Sequence, residues 1–203
     1  NLFFKKYKPE YVIIAAAKVG GIIANNNFKS DFLFENLTIQ NNLIHGAFTN
    51  KIRNLLFLGS TCIYPKNCKK PIKEEYLLNG VLEKTNEAYA LAKIAGLKLC
   101  EYYNLNYKTN YKVLMPTNLY GINDNYHEQN SHVIPGLISK FHKSKKNKKK
   151  SVKIWGTGKP KRDFMFVDDL ADACIFFMNK NLKNKFINLG SGKSYTILKI
   201  AKL

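Results

Sequence analysis

Two side chains with the spacing of a proton-transfer pair stand near the middle of the chain. Tyr89 and Lys93 form Tyr-x-x-x-Lys in a stretch that predicts a helix, so they lie one turn apart on one face. A neighbouring ammonium group lowers the pKa of a tyrosine, which suits a proton donor to a carbonyl under reduction. With 31 lysines and 12 tyrosines, about two such pairs are expected by chance, and Tyr195 and Lys199 form the second. Only Tyr89 has a serine, Ser60, at the end of an upstream strand. The alternative for Tyr89 is a partly buried helix residue without a role in catalysis.

Ser60 and Cys62 are the nearest partners for that pair. They leave a predicted strand together with Thr61, and they face the same side if the extended geometry persists. A serine hydroxyl can hold a substrate oxygen, and a thiol whose pKa falls toward neutral can exchange a carbon-bound proton. The alternative for Cys62 is a small buried hydrophobic residue.

The elements that must position these groups alternate between short apolar runs and longer helical stretches. The continuous apolar run at residues 11–17 is typical of a strand buried on both faces. Ser30 or Asp31 is expected to cap the first long helix. Strands are predicted at 11–17, 54–58, 111–115, 152–155, 164–167 and 186–189, and helices at 30–51, 85–104, 131–141 and 168–178.

Strands separated by helices predict an α/β fold, a Rossmann-like doubly wound and mostly parallel sheet. Such sheets bind ligands beyond the carboxyl ends of their strands. Residues 15–21, 59–65 and 116–121 follow the three strongest strands, so we expect the site there.

Composition excludes several classes. The 203 residues are 45% hydrophobic, enough for a sizeable core, so the chain as a whole is neither disordered nor a coiled coil. The net charge of +19 comes from 31 lysines and only two arginines, spread over helices and loops alike. The densest run, residues 142–153, has seven lysines and no aromatic residue, so we interpret it as a solvated loop rather than a nucleic-acid groove.

Cysteine spacing and hydropathy indicate a reducing compartment. The longest apolar stretch, residues 11–24, is too short to span a bilayer, and residues 1–10 show no secretory signal. No Cys-x-x-Cys pattern is present, so we expect no metal site and free thiols in a soluble cytoplasmic protein without a membrane partner. The four cysteines are Cys62, Cys68, Cys100 and Cys174.

Several consecutive motifs resemble one enzyme family. They are LGSTCIYP at 58–65, PIKEEYLL at 71–78 and NEAYALAK at 86–93, together with residues 15–21, 115–121, 130–135 and 154–158. In this order they resemble the GDP-L-fucose synthases, NADPH-dependent GDP-4-keto-6-deoxy-D-mannose 3,5-epimerase-4-reductases among the extended short-chain dehydrogenases/reductases. The resemblance covers nearly the whole chain except the lysine-rich run, which looks like an insertion.

The resemblance implies a role for individual residues. Ser60, Tyr89 and Lys93 would form the reductase group, with Tyr89 protonating the C4 oxygen and Lys93 also binding the nicotinamide ribose. Cys62 and His132 would be the acid/base pair at C3 and C5; without the resemblance His132 is a surface or capping residue. The NADP(H) contacts implied are Leu58, Gly59, Ser60, Thr61, Lys93, Pro116, Thr117, Asn118, Leu119 and His132.

Substrate contacts with GDP-4-keto-6-deoxy-D-mannose transfer to Lys140, Trp155 and Arg162. Arg162 has an independent argument, because a chain that uses lysine almost everywhere retains arginine here, and guanidinium is the better bidentate partner for a diphosphate. Without the resemblance, we would interpret Trp155 as a core residue.

One family feature is missing from the sequence. No G-x-x-G-x-x-G or G-x-G-x-x-G precedes Tyr11, although such a turn holds the cofactor pyrophosphate in these folds. We therefore expect residues 1–130 to be a partial NADP-binding Rossmann domain without its first βαβ unit. Residues 131–203 would be a mixed region with substrate-binding elements, truncated at its end. The 203 residues alone are expected to be inactive, and the parent protein to be a homodimer contacting through the helices at 30–51 and 85–104.

Three alternatives remain open from the sequence. The first is another nucleotide-sugar epimerase or dehydratase, although a 4-epimerase needs no acid/base pair such as Cys62 and His132. The second is a basic nucleic-acid-binding protein on a degenerate dehydrogenase scaffold, for which no recognition element is visible. The third is a folded but inactive homologue.

Overall fold

The computed structural model describes residues 2–127, 130–182 and 186–203. Its strands are β1 (Tyr11–Ile14), β2 (Asn54–Leu58), β3 (Asn110–Pro116), β4 (Asn118–Tyr120), β5 (Lys161–Phe166), β6 (Phe186–Leu189) and β7 (Ser194–Thr196). Its α-helices are α1 (Leu2–Tyr7), α2 (Ile22–Asn27), α3 (Lys29–Thr49), α4 (Glu87–Tyr107), α5 (Val133–Lys146), α6 (Val167–Asn179) and α7 (Ile197–Lys202). Short 3₁₀ turns span Thr61–Ile63 and Glu74–Tyr76.

The larger sheet has four parallel strands in the order β1-β2-β3-β6. Helices α3 and α4 connect the first three strands, so each pair is a crossover unit. A smaller sheet places β5 between β4, to which it is parallel, and β7, to which it is antiparallel.

Helices cover both faces of the larger sheet because its central strands, β2 and β3, direct apolar side chains to both sides. Leu55 and Phe57 of β2 join the buried cluster on the α3 and α4 side, whereas Leu56, between them, joins the cluster that includes Leu170 and Cys174 of α6. Alternate side chains of one strand therefore feed two cores. This arrangement confirms the predicted doubly wound α/β fold.

A glycine and a buried lysine determine how two helices pack on the larger sheet. Gly96 lies where α4 crosses β2, and a Cβ there would stand 2.7 Å from the Phe57 ring and 2.9 Å from Gln40. Lys112 of β3 is fully buried, and its Nζ donates to the carbonyl oxygens of Phe177, Met178 and Lys180 at 2.8, 2.6 and 2.7 Å. The buried lysine therefore satisfies carbonyl groups at the carboxyl end of α6, which is the negative end of the helix dipole.

Three local predictions are wrong. Residues 152–155 form no strand, and Gly156 and Gly158, both at positive φ, turn the chain directly afterwards. Strand β1 is not buried on both faces, since Tyr11 and Ile13 are 46% and 42% exposed. Helix α3 begins at Lys29 with Phe28 as its N-cap, and no side chain caps it.

The lysine-rich run is solvent-exposed as predicted, but its first part is helical. Helix α5 continues to Lys146, with Lys143, Lys145 and Lys146 in its last turn. Lysine is a good helix former, and cations are favoured at the carboxyl end of a helix. Within the described ranges, no helix is both long enough and apolar enough to cross a membrane.

Candidate active site

Lys93 stands at the centre of the candidate site. It is only 3% exposed, and its Nζ donates to the carbonyl oxygen of Leu58, the last residue of β2, at 2.8 Å. The same nitrogen lies 4.6 Å from the centroid of the Phe57 ring and 5.7 Å from that of Tyr89. Burial lowers the pKa of Lys93 to about 8, against a smaller opposing effect of Cys62. Helix α4 thus holds a readily titrated amine against the end of a buried strand.

Ser60 and Cys62 are brought together by a turn rather than by an extended strand. Ser60 is the N-cap of the 3₁₀ turn, and its Oγ accepts a hydrogen bond from the Cys62 backbone N–H at 3.4 Å. Burial raises the pKa of the Cys62 thiol to about 11, although the Ser60 hydrogen bond and the charge of Lys93 act in the opposite direction. Cys62 is therefore a protonated thiol at neutral pH in the unliganded chain.

Tyr89 lies one turn before Lys93 on α4, as the spacing predicts. Its ring meets Phe32 of α3 edge to face at a centroid distance of 6.4 Å. The expected lowering of its pKa is wrong, because burial, followed by the effect of Cys62, raises the pKa of the phenol above its ordinary value. The Lys93 ammonium is directed to the Leu58 carbonyl group instead. Tyr89 therefore carries its proton at neutral pH, the form that a proton donor requires.

The segment after β3 lies at the same edge of the sheet. The Gly59 backbone N–H donates to the carbonyl oxygen of Leu114 at 2.8 Å, which joins the ends of β2 and β3. Thr117 donates its N–H to Leu189 O at 2.9 Å, and both Thr117 Oγ1 and Asn118 Nδ2 donate to Asp163 O at 2.9 Å. The structure thus gathers the predicted contacts Leu58, Gly59, Ser60 and Thr61, and Pro116, Thr117, Asn118 and Leu119, on consecutive segments at one edge.

His132 lies at the start of α5. It is the exposed N-cap of that helix and makes no side-chain cap hydrogen bond. The Gly21 N–H donates to Asn130 O at 3.1 Å, so the loop after β1 contacts the segment leading to His132. A Cβ at Gly21 would stand 2.8 Å from Ser131 O, which explains a glycine at this close approach.

The loop after β1 also depends on Asn36, a buried residue of α3 that the sequence analysis missed. Its Oδ1 accepts from the Lys18 N–H at 2.9 Å, and its Nδ2 donates to Lys18 O at 3.0 Å. Asn36 therefore fixes the loop backbone through both polar groups of one residue. An asparagine at an otherwise core-facing helix position was the available signal.

The predicted substrate contacts lie on other elements than the end of β2 and helix α4. Lys140 Nζ stands 4.0 Å from the centroid of the Trp155 ring, and Trp155 is 56% exposed, so this tryptophan is not a core residue. Arg162 is exposed on β5 opposite Tyr195, and its Nη1 donates to Lys161 O at 2.8 Å. Among the residues that the structure describes, no hydrogen bond or ring contact joins these three to Ser60, Cys62, Tyr89 or Lys93.

The second Tyr-x-x-x-Lys pair has no such setting. Tyr195 and Lys199 lie on β7 and α7, with Lys199 Nζ 4.9 Å from the Tyr195 ring centroid. A cavity of about 620 Å³ also lies away from the candidate site, at the amino ends of β1 and β2, with Lys8, Glu10 and Arg53 in its lining. Chemistry and sheet topology both favour the carboxyl edge.

This fold, with a Ser-Tyr-Lys group at the carboxyl edge of a parallel sheet, is that of a short-chain dehydrogenase/reductase. The chain belongs to the NAD dependent epimerase/dehydratase family, whose sequence profile matches residues 1–190. Within it, the chain is 54% identical over 201 residues to a putative GDP-L-fucose synthase 2 of Arabidopsis thaliana, covering 99% of this chain and 61% of that protein. It is 48% identical to the GDP-L-fucose synthase of Escherichia coli strain K12, covering 98% of this chain and 65% of that protein.

A solved structure gives the same result. A GDP-L-fucose synthetase from Naegleria fowleri, determined with NADP bound, superposes with a TM-score of 0.89 at 32% identity, covering 98% of this chain and 61% of that one. These similarities confirm the resemblance that the motifs indicate. The chain spans a little under two thirds of the length of the curated relatives it matches.

Proposed function

We propose that this chain carries the catalytic part of a GDP-L-fucose synthase, which epimerises GDP-4-keto-6-deoxy-D-mannose at C3 and C5 and then reduces it at C4 with NADPH. The carrying observation is the juxtaposition of Ser60, Cys62, Tyr89 and Lys93 where β2 ends against α4. A reductase alone would need only three of these residues. Cys62 adds a proton-transfer group within the same turn.

The residues present fit the nicotinamide half of NADP(H). Lys93 uses one of its donors on Leu58 O, and an ammonium group has two more for ribose hydroxyl groups. The backbone at 58–61 begins at the carbonyl group that this amine binds, and residues 116–119 end and follow the neighbouring strand β3. When bound, NADPH supplies the hydride that C4 accepts. The sequence before β1 offers no glycine-rich turn for the pyrophosphate, so we expect weak binding by the 203 residues alone.

For the reduction, Tyr89 is the proton donor to the C4 oxygen. Burial keeps its phenol protonated at neutral pH by raising its pKa. The Ser60 hydroxyl, held at the start of the 3₁₀ turn, would orient the carbonyl oxygen. Lys93 would supply positive charge as the tyrosinate forms, which lowers the cost of giving up the proton.

For the epimerisation, Cys62 and His132 are the acid/base pair. The C4 ketone acidifies the hydrogens at C3 and C5, and inversion requires groups on opposite faces of the sugar. Cys62 lies in the turn after β2 and His132 at the start of α5, so the two groups would be supplied by different elements. The thiol form of Cys62 holds the proton that one of these steps returns.

The remaining assignments follow from the same proposal. Lys140, Trp155 and Arg162 would contact the GDP portion, residues 1–130 would serve the cofactor and residues 131–203 the substrate. Exposed apolar side chains on α3 and α4, including Phe34, Leu91 and Leu105, support a homodimer through these helices. Free cysteines support a cytoplasmic location.

The test is NADPH consumption with GDP-4-keto-6-deoxy-D-mannose, run in D₂O with analysis of the product. This chain is compared with a version extended upstream through a glycine-rich turn. We expect turnover in the extended protein, with inverted configuration and deuterium at C3 and C5. A product reduced at C4 but unchanged at C3 and C5 would identify a different nucleotide-sugar reductase. A folded extended protein without turnover would contradict the proposal.

A further inference from the structure

Asp163 makes an unusual number of hydrogen bonds for a residue outside the core. Its Oδ1 accepts from Ser191 N–H at 3.1 Å and from Ser191 Oγ at 2.7 Å, and its Oδ2 accepts from Gly192 N–H at 3.1 Å. These donors belong to the turn after β6. Gly192 has a φ of +74°, and a Cβ at Gly190 would stand 2.8 Å from Asp163 Oδ2. The turn is shaped closely around this carboxylate.

The backbone carbonyl of Asp163 binds a second loop. It accepts from Thr117 Oγ1 and from Asn118 Nδ2, both at 2.9 Å. The N–H of Thr117 donates to Leu189 O at the end of β6. One residue of β5 therefore connects the segment leaving β3 to the segment leaving β6.

Stability does not account well for this arrangement. Asn118, Ser191 and Gly192 are exposed, and a hydrogen bond in water-accessible surroundings contributes little net stability. The hydrogen bonds of Asp163 instead position the groups that they join, which lie at the carboxyl edge of the sheet. Thr117 and Asn118 are two of the expected cofactor contacts. Arg162, the expected diphosphate contact, precedes Asp163 on the same strand.

We propose that Asp163 is a positioning residue for both ligands: it holds the Thr117–Asn118 segment for the nicotinamide and fixes β5 so that Arg162 meets the substrate. This inference rests on the proposed function. Alternate residues of a strand face opposite sides. Asp163 therefore binds the turn after β6, whereas the neighbouring Arg162 side chain is exposed and, beyond its Nη1 bond to Lys161 O, has further donors for a ligand. In the pairing of β5 with β7, Asp163 lies opposite Ser194 and Arg162 lies opposite Tyr195.

The test is Asp163→Asn in the extended protein. The substitution keeps the size of the side chain but turns one acceptor into a donor that faces a backbone N–H. We expect KM for NADPH and for the nucleotide sugar to rise about tenfold each, while kcat stays within about threefold, since the reacting groups are untouched. Ser191→Ala, which removes one of the three donors, should give a smaller rise. Asp172→Asn, at an exposed position of α6, is the matched control and should change neither constant.

Hydrogen exchange in the 203-residue chain gives a readout independent of catalysis. We expect Asp163→Asn to speed amide exchange at Thr117 as well as at Ser191 and Gly192, because the Thr117 N–H donates to Leu189 O, directly before the turn that the carboxylate holds. Faster exchange at residues 191–192 alone, or unchanged KM values in an active and folded variant, would overturn the proposal. Inactivity of the unsubstituted extended protein would contradict the proposed function, and the exchange result would still decide the linkage.

Discussion

Lys93 of helix α4 donates from Nζ to the carbonyl oxygen of Leu58, 2.8 Å away at the end of strand β2. This bond fixes the helix along its axis relative to the strand. Tyr89, one turn earlier, is thereby held beside the turn that carries Ser60 and Cys62. The site thus depends on a single lysine that is both a structural donor and a titratable group.

Replacing Tyr89 by Phe should remove the proposed proton donor with little effect on packing. We expect C4 reduction in the extended protein to fall by about 10²- to 10⁴-fold, the usual contribution of general acid catalysis, with NADPH binding retained. Steady-state kinetics and fluorescence titration would measure the two effects. Tyr102→Phe, at an exposed tyrosine of the same helix, should leave the rate unchanged. Equal rates for wild type and Tyr89→Phe would exclude this role.

Cys62→Ser should separate epimerisation from reduction. Since serine is a far weaker acid than a thiol, we expect deuterium incorporation from D₂O at C3 and C5 to fall by about 10²-fold or more. Hydride transfer should persist and give a product of unchanged C3 and C5 configuration, as seen by NMR. Cys68→Ser, at another partly buried thiol, is the control. Retained exchange in Cys62→Ser would assign the proton transfer to another group.

The buried amine should make stability depend on pH. The pKa of Lys93 falls from 10.5 to about 8 on folding, so between these values the unfolded chain binds more protons. The free energy of unfolding should therefore rise with pH across this window, by roughly 3 kcal/mol from this group. Urea denaturation from pH 7 to 10.5 would measure the free energy of unfolding of wild type and of Lys93→Met. The difference between the two proteins isolates the contribution of this amine. A pH-independent difference would show that the amine is not buried.

Lys112→Met should destabilise the fold although methionine fits an apolar site. The substitution leaves the carbonyl groups of Phe177, Met178 and Lys180 without the buried ammonium. We expect the free energy of unfolding to fall by about 2–4 kcal/mol, the cost of unsatisfied buried polar groups. Lys153→Met, at an exposed position, should change it by less than about 0.5 kcal/mol. Similar denaturation midpoints for both variants would contradict the capping role.

Gly96→Ala sets two effects against each other. Helix propensity favours alanine by about 1 kcal/mol, but the new Cβ would stand 2.7 Å from the Phe57 ring. Overpacking of this kind costs about 1–3 kcal/mol, so we expect net destabilisation. Ala95→Gly, at the exposed neighbouring position, measures the propensity effect alone. A more stable Gly96→Ala protein would show that α4 can move away from β2.

Much of the fold was predictable because apolar periodicity reports burial. Strands β2 and β6 have the predicted bounds, and helix α6 differs by one residue at each end. Residues 152–155 show the limit of the pattern: Val152 and Ile154 are half-buried, but the segment forms no strand pairing, which depends on distant chain. The predicted end of α5 at residue 141 is too early, because the lysines that follow predict a solvated loop but are equally compatible with a helix end.

The sequence predicts which residues are neighbours at the candidate site, but it does not predict the direction of their pKa shifts. Spacing places Tyr89 beside Lys93, whereas the direction of the Lys93 ammonium and the burial of Tyr89 are tertiary properties that reversed the expected pKa shift. Asp163 and Asn36 were missed for the same reason. Each binds backbone groups far away in sequence, and no local sequence pattern indicates such hydrogen bonds.

The order of strands in the larger sheet also has a consequence for biosynthesis. Strands β1, β2 and β3 are neighbours both in sequence and in the sheet, so they can assemble with α3 and α4 while the ribosome is still translating. Strand β6, which pairs with β3, is made only after α5, β5 and α6. Until then the open side of β3 exposes unpaired backbone groups, and this nascent intermediate is where chaperone protection would matter most.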